Sequence, residues 1–215
     1  MSESTPAMTK DHGCALMNQY ADNNSQAESP LVNIKWSNSA QPTVVARELS
    51  LMGHITLRGK PDDEAFLAAA EKVLGVALPG RLKSVESGEY VIRWLTPDQW
   101  LITLPGVHAF ALEQSLRDNL SGHYQVVNVS GGQTLLMLSG ANAENVLMKS
   151  VHYDIHERNF PVGKVVNTNF AKAGCTLRRV GAQEFELVIR RSFADYIAAW
   201  IQDSAAEYGF AFDSM

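Results

Sequence analysis

A chain of 215 residues with 46% hydrophobic and 19% charged side chains is an ordinary globular composition, with room for one large domain or two small ones. Its net charge of −5, with 18 scattered Lys and Arg, offers no basic patch for a phosphate backbone, so no nucleic-acid partner is expected. No apolar run approaches the ~20 residues of a membrane helix, the N-terminus has no apolar signal core, and Cys14 and Cys175 stand in unlike settings, so no membrane association and a reducing cytoplasm are expected.

Residues 1–29 are polar and aperiodic, which predicts disorder. Residues 31–42 add Trp36 and a few apolar side chains, enough to lie against a neighbouring surface but not to fold alone, so a largely disordered tail is expected over 1–43, with order beginning near Val44. Residues 54–57 alternate modestly and end at Arg58-Gly59, a strand and a turn. Pro61-Asp62-Asp63-Glu64 then starts a helix, with proline near the first turn and acids at the positive end of the dipole, and Gly75 stops it. Residues 90–95 and 99–104 flank the turn Thr96-Pro97-Asp98, predicting a β-hairpin. A second helix follows over 107–120, and a strand over 124–129 runs into a bend at Gly131-Gly132.

The nearly unbroken apolar run 133–138 reads as a strand buried on both faces, followed by a Ser139-Gly140 turn and a short helix over 141–148. Past a long loop, 164–170 and 175–180 form a second hairpin turning at Ala173-Gly174, and 185–189 a further strand. Ser192 stands where a helix N-cap belongs, with Asp195 three residues on. Phe193, Ile197, Trp200, Ile201, Ala205 and Tyr208 then recur at three- and four-residue steps as one apolar face. ITLRGKPDDEAFLAAAEKVL and LLMLSGANAENVL echo one another as strand, glycine turn, helix. The fold class is therefore α+β: two related units with mixed or antiparallel sheets, about 44–130 and 131–209, fused into one body with a tail at 210–215.

Chemistry-bearing motifs are scarce. His152 and His156, with Asp154 between them, lie in a stretch without helical period and without a third ligand nearby, so they read as loop residues. Nucleophile elbows, Walker loops and dinucleotide fingerprints are absent, and Ser130-Gly131-Gly132 reads as a bend rather than an anion cradle. No catalytic, cofactor-binding or metal residue is predicted. Trp94 and Trp100, six apart across a turn, need not share a face; core packing or a partner surface suits them better than a flat ligand. Of the basic pairs Arg178-Arg179 and Arg190-Arg191, one member each should face inward and need a buried acid from this chain or another, unless the pairs are solvated edge charge.

The runs LSGANAENVLMKSVHYDIHERNFPVGKVVNT and RRSFADYIAAWIQDSAAEYG, preceded in order by RELSLMGHITLRGKPDDEAFLAAAEKVLGVALP and RWLTPDQWLIT, resemble the gamma-subunit family of heterotetrameric sarcosine oxidase over most of the chain. That resemblance implies the fold of the folate-binding domain of aminomethyltransferases, with each half a ferredoxin-like unit. It also implies a complex with alpha, beta and delta subunits that oxidises sarcosine to glycine, hydrogen peroxide and a one-carbon unit. FAD, FMN, NAD, tetrahydrofolate and zinc are implied for that assembly, on other subunits. In the aminomethyltransferases the strand–turn–strand matching FAKAGCTLRRV carries paired acids where Arg178 and Arg179 stand here, which implies a non-catalytic accessory subunit; the alternative is a free-standing folate-dependent one-carbon transferase. Trp36, Trp94, Trp100, Arg178, Arg179, Arg190, Arg191, Phe210 and Phe212 are the candidate subunit contacts.

Overall fold

The structure, a computed structural model, describes residues 27–213, so most of the tail predicted to be disordered lies outside the described residues. Strands β1 (Val44–Leu49), β2 (Met52–Gly59), β3 (Ser84–Ser87), β4 (Tyr90–Thr96), β5 (Gln99–Pro105) and β6 (Tyr124–Asn128) come from the first half. The second supplies β7 (Gln133–Ser139), β8 (Val165–Phe170), β9 (Ala173–Gly181), β10 (Glu184–Arg190) and β11 (Phe210–Asp213). They form a five-stranded sheet, β3-β4-β5-β2-β6, and a six-stranded one, β11-β1-β7-β10-β9-β8.

Helix α1 (Glu64–Leu74) begins as its sequence requires: the Asp63 carboxylate accepts from the Phe66 N–H at 3.1 Å, and Gly75 closes the helix at φ 72°. With α2 (Ala109–Asn119) it buries Phe66, Leu74, Leu112 and Leu116 against Ile55, Leu57, Ile92 and Ile102 of the five-stranded sheet. Helices α3 (Ala143–Ser150) and α4 (Ala194–Ala205) cover the other sheet, packing on Leu136, Leu138, Leu177, Phe185 and Leu187. The remaining faces of the two sheets meet through Leu101, Leu135 and Val188. The layers run helix, sheet, sheet, helix. This explains the unbroken run in β7: Leu136 and Leu138 face helices while Leu135 faces the opposing sheet.

The two halves repeat one connectivity, strand–helix–three strands–helix–strand, with one exchange. In the first sheet β6 lies directly beside β2; in the second that place beside β7 is taken by β1, antiparallel to β7 and parallel to β11. Strand β1, which precedes the repeated unit of the first half, thus completes the sheet of the second.

Several elements differ from the sequence expectation. Residues 210–213 are an edge strand rather than tail, and Phe212 stacks on Trp36 with ring centroids 4.0 Å apart and planes 1° from parallel. Residues 31–42 lie against this surface, and Leu31 enters the core. In the second hairpin Phe170 pairs with Ala173, so the turn is Ala171-Lys172, with Ala171 at φ 51°, two residues earlier than expected. Ser192 does not cap α4: a 3-10 turn, Arg191–Phe193, precedes the helix, and no side chain caps it. Its buried stripe is Ala194, Ile197, Ala198, Ile201 and Ala205, because small side chains let the helix approach the sheet. Trp200, 37% exposed, stands on the flank and donates its indole N–H to Ser150 of α3 at 3.1 Å.

Candidate functional site

Alternation along the strands points charged side chains into the space between the sheets. Arg93 of β4, fully buried, reaches across to Glu186 of β10 at 2.5 Å and donates to the Thr103 hydroxyl at 2.6 Å and the Val91 carbonyl at 3.3 Å. Arg178 of β9, directly opposite Glu186 in the ladder, donates to the same carboxylate oxygen at 3.0 Å and with its other arm to Glu86 of β3. Two guanidinium groups thus clamp one buried carboxylate, and a second carboxylate at the rim balances the charge. Burial pushes the Glu186 carboxyl up, but Arg93 and Arg178 outweigh it and hold it below the usual carboxylate value. A carboxylate so stabilised is a weak proton acceptor.

Arg179 points to the opposite face. It donates to Glu144 of α3 at 2.9 Å and to the carbonyls of Ile155 and Ala182, both at 2.8 Å, and lies over the Phe185 ring. Both members of this pair are therefore buried, because the sheet is covered on both sides, and the acids they need come from this chain. That corrects their reading as subunit contacts: they have no exposed face to offer. Phe210 and Trp100 are buried too, Trp100 with its indole N–H on the Pro79 carbonyl at 2.9 Å. Trp94 pairs with Trp100 across the hairpin and shares its face, half-buried against the same core. Trp36 and Phe212 are partly exposed; Arg190 and Arg191 are exposed and carry no ion pair among the described residues.

Arg93, Glu186, Glu86, Glu144 and His54 escaped the sequence reading. The available signal was a charge inside an apolar run, Arg93 in VIRWL and Glu186 in FELVI, at positions that alternate with core residues. His54, also fully buried between the sheets, donates from Nδ1 to the Met52 carbonyl at 3.1 Å while its Nε2 has no partner. Burial, aided by nearby Arg93 and opposed by that hydrogen bond, lowers it to about 4. The Cys175 thiol is pushed up to about 12 by burial and is no nucleophile at neutral pH. His156 uses Nδ1 to accept from the Arg158 N–H at 3.2 Å, and among the described residues no three metal-ligating side chains gather.

Two grooves open at one end of the sandwich and share Gln133. One, of about 690 Å³, is lined by Asn167, Cys175, Thr176, Arg190 and Phe193; the other, of about 610 Å³, by Leu51, Val107, Ser130, Thr134 and Arg191.

The sequence model of the sarcosine oxidase, gamma subunit family matches residues 58–207. The chain is 32% identical over 174 residues to sarcosine oxidase subunit gamma of Corynebacterium sp. (strain P-1), covering 79% of this chain and 84% of that one. It is 33% identical over 176 residues to the Arthrobacter sp. subunit of the same name, with the same coverage. Among solved structures, a chain of heterotetrameric sarcosine oxidase from Corynebacterium sp. U-96, in complex with pyrrole 2-carboxylate, superposes with a TM-score of 0.78 at 27% identity, over 87% of this chain and 99% of that one. The glycine cleavage system aminomethyltransferase T from Bartonella henselae shares the fold, with a TM-score of 0.58 at 17% identity over 80% of this chain and 48% of that one.

Proposed function

The chain belongs to the sarcosine oxidase gamma subunit family, and from that premise we propose that it is the accessory, non-catalytic subunit of a cytoplasmic heterotetrameric sarcosine oxidase. In this reading it supports assembly of the alpha, beta and delta subunits, whose flavin chemistry takes sarcosine to glycine, hydrogen peroxide and a one-carbon unit. The observation that carries it is the state of Arg178 and Arg179: both are buried and locked by Glu186, Glu86 and Glu144, so the hairpin holds no free acceptor for a proton. A free-standing folate-dependent transferase would need an available carboxylate there. The reading assigns the flavins, the nicotinamide nucleotide, folate and zinc to other subunits, and among the described residues no three metal-ligating side chains gather. The strand orders support reading the first half as a ferredoxin-like unit with one added edge strand, β3, and the second as the same unit with edge strand β8 and with β1 inserted between β7 and β11.

The test is reconstitution. The other three subunits are produced with and without this chain, and sarcosine oxidation, peroxide release and thermal inactivation are followed. The expected result is an assembly that forms poorly or inactivates sooner without the chain, and no turnover by the chain alone. Full activity and stability without it, or folate-linked one-carbon transfer by the isolated chain, would overturn the reading.

A further inference from the structure

We propose that the end of the sandwich where the two grooves meet is the surface on which another subunit seats an extended segment carrying a carboxylate among apolar side chains. This rests on the assembly role proposed above.

The strand registers place Met52 opposite Pro105 and Gln133 opposite Arg190, which brings four connections to one end: the β1–β2 turn and the 3-10 turns Gly106–His108, Ser130–Gly132 and Arg191–Phe193. They are tightly fitted: a Cβ on Gly106 would lie 2.2 Å from the Leu51 carbonyl oxygen. Yet their apolar side chains face water. Val107 is 85% exposed and Leu51 54%, and Phe193 is exposed on the far side of Arg190 and Arg191. Leu51 is the most telling of these. It adopts φ 56°, a left-handed conformation that suits glycine or asparagine, and turns a large apolar side chain outward. In the isolated chain leucine is the wrong residue there on both counts; under a partner it is a contact held out on a rigid turn.

The charge at this end selects the occupant. Arg190 and Arg191, one lining each groove, have no ion-pair partner among the described residues. No carboxylate lines the larger groove, and only Glu28 lines the smaller. Glu48 is engaged, accepting from Ser29 and from Thr134. Gln133, common to both grooves, has its side-chain oxygen shielded from water and without a hydrogen-bond partner. An extended segment laid along the track supplies a backbone N–H to Gln133, a carboxylate to Arg190 or Arg191, and apolar side chains to Leu51, Val107 and Phe193.

The experiment uses the co-expressed four-subunit complex, captured through a tag on another subunit, and measures how much of this chain co-purifies. The variants are Leu51→Asn, Val107→Asp and the pair Arg190→Glu with Arg191→Glu; Met148→Asp, exposed on α3 and lining neither groove, is the control. Thermal unfolding of each isolated variant establishes folding, and Leu51→Asn is expected to be at least as stable as the parent because it relieves the backbone. The expected result is a loss of co-purification of at least tenfold for Val107→Asp and for the charge pair, a smaller loss for Leu51→Asn, and none for Met148→Asp. If the unmodified chain associates and the folded end variants do so equally, or if Met148→Asp is lost with them, this surface is wrong while the assembly role stands. If the unmodified chain does not co-purify, the assembly role falls and this surface with it.

Discussion

Glu186 is the residue whose removal should be felt most sharply. With Glu186→Gln, Arg93 keeps its hydroxyl and carbonyl partners but loses the charge that balances it in a site closed to water, and the expected cost is about 3–5 kcal/mol in urea denaturation. Glu86, whose side chain is 60% exposed, should tolerate Gln within about 1 kcal/mol. Similar losses at the two positions would show that the clamp is not centred on Glu186. His54 sets a separate dependence on pH. The unfolded chain takes up a proton near the ordinary value of 6.5, while the folded chain resists until about 4. Its contribution is therefore complete above pH 6.5 and drains away as pH falls to about 4, by about 3 kcal/mol in all. Glu186, held below its ordinary 4.5, loses its contribution only further into acid. Denaturation midpoints between pH 7 and 4.5 should fall for the parent and stay nearly flat for His54→Gln; parallel curves would exclude His54 as the cause.

At the scale of the element, α4 shows what periodicity conveys and what it leaves out. Three- and four-residue spacing located the helix and brought Ile197, Ile201 and Ala205 to its buried face, but spacing weighs an alanine below a tryptophan. The sheet decided otherwise: Ala194 and Ala198 sit at the closest approach and Trp200 is displaced to the flank. Ile201→Ala should accordingly cost about 2–5 kcal/mol, and Trp200→Ala less, despite its larger side chain. A greater loss at Trp200 in chemical denaturation would reverse that facing. The turn before α3 depends on its backbone: Gly140 sits at φ 113°, and a Cβ there would fall 2.3 Å from the Thr43 carbonyl oxygen. Gly140→Ala should destabilise by more than the ~1 kcal/mol that a strain-free exchange would gain, because the β1 approach must open to admit it.

Across the whole molecule the placement of β1 binds the halves together. It precedes the first unit, yet β7 and β11 pair with each other only through it. The polar clamp and the Leu101–Leu135–Val188 contact join the sheets again in the middle. Scanning calorimetry should therefore show one cooperative transition, and a fragment beginning at Gln133 should not fold alone. Two resolved transitions, or a folded fragment, would mean that the sheets are independent.

Local features with local causes were legible in the sequence: the Asp63 and Gly75 ends of α1, the Thr96-Pro97-Asp98 hairpin, the doubly buried strand β7, the repeated strand–turn–helix, and the family likeness spread over most of the chain. The caps, the hairpin and the strand each depend on residues a few positions apart, and the repeat and the likeness are read from the order of such segments along the chain. Tertiary structure alone decided the exchange of β1, the pairing of β11, the partners of Arg93, Arg178 and Arg179, and which of the nine proposed contacts keep an exposed face. Burial on a second side depends on what packs there, and pairings such as Arg93 with Glu186 join residues 93 positions apart. Alternation can state that a charge points inward; only the folded sheets state what meets it.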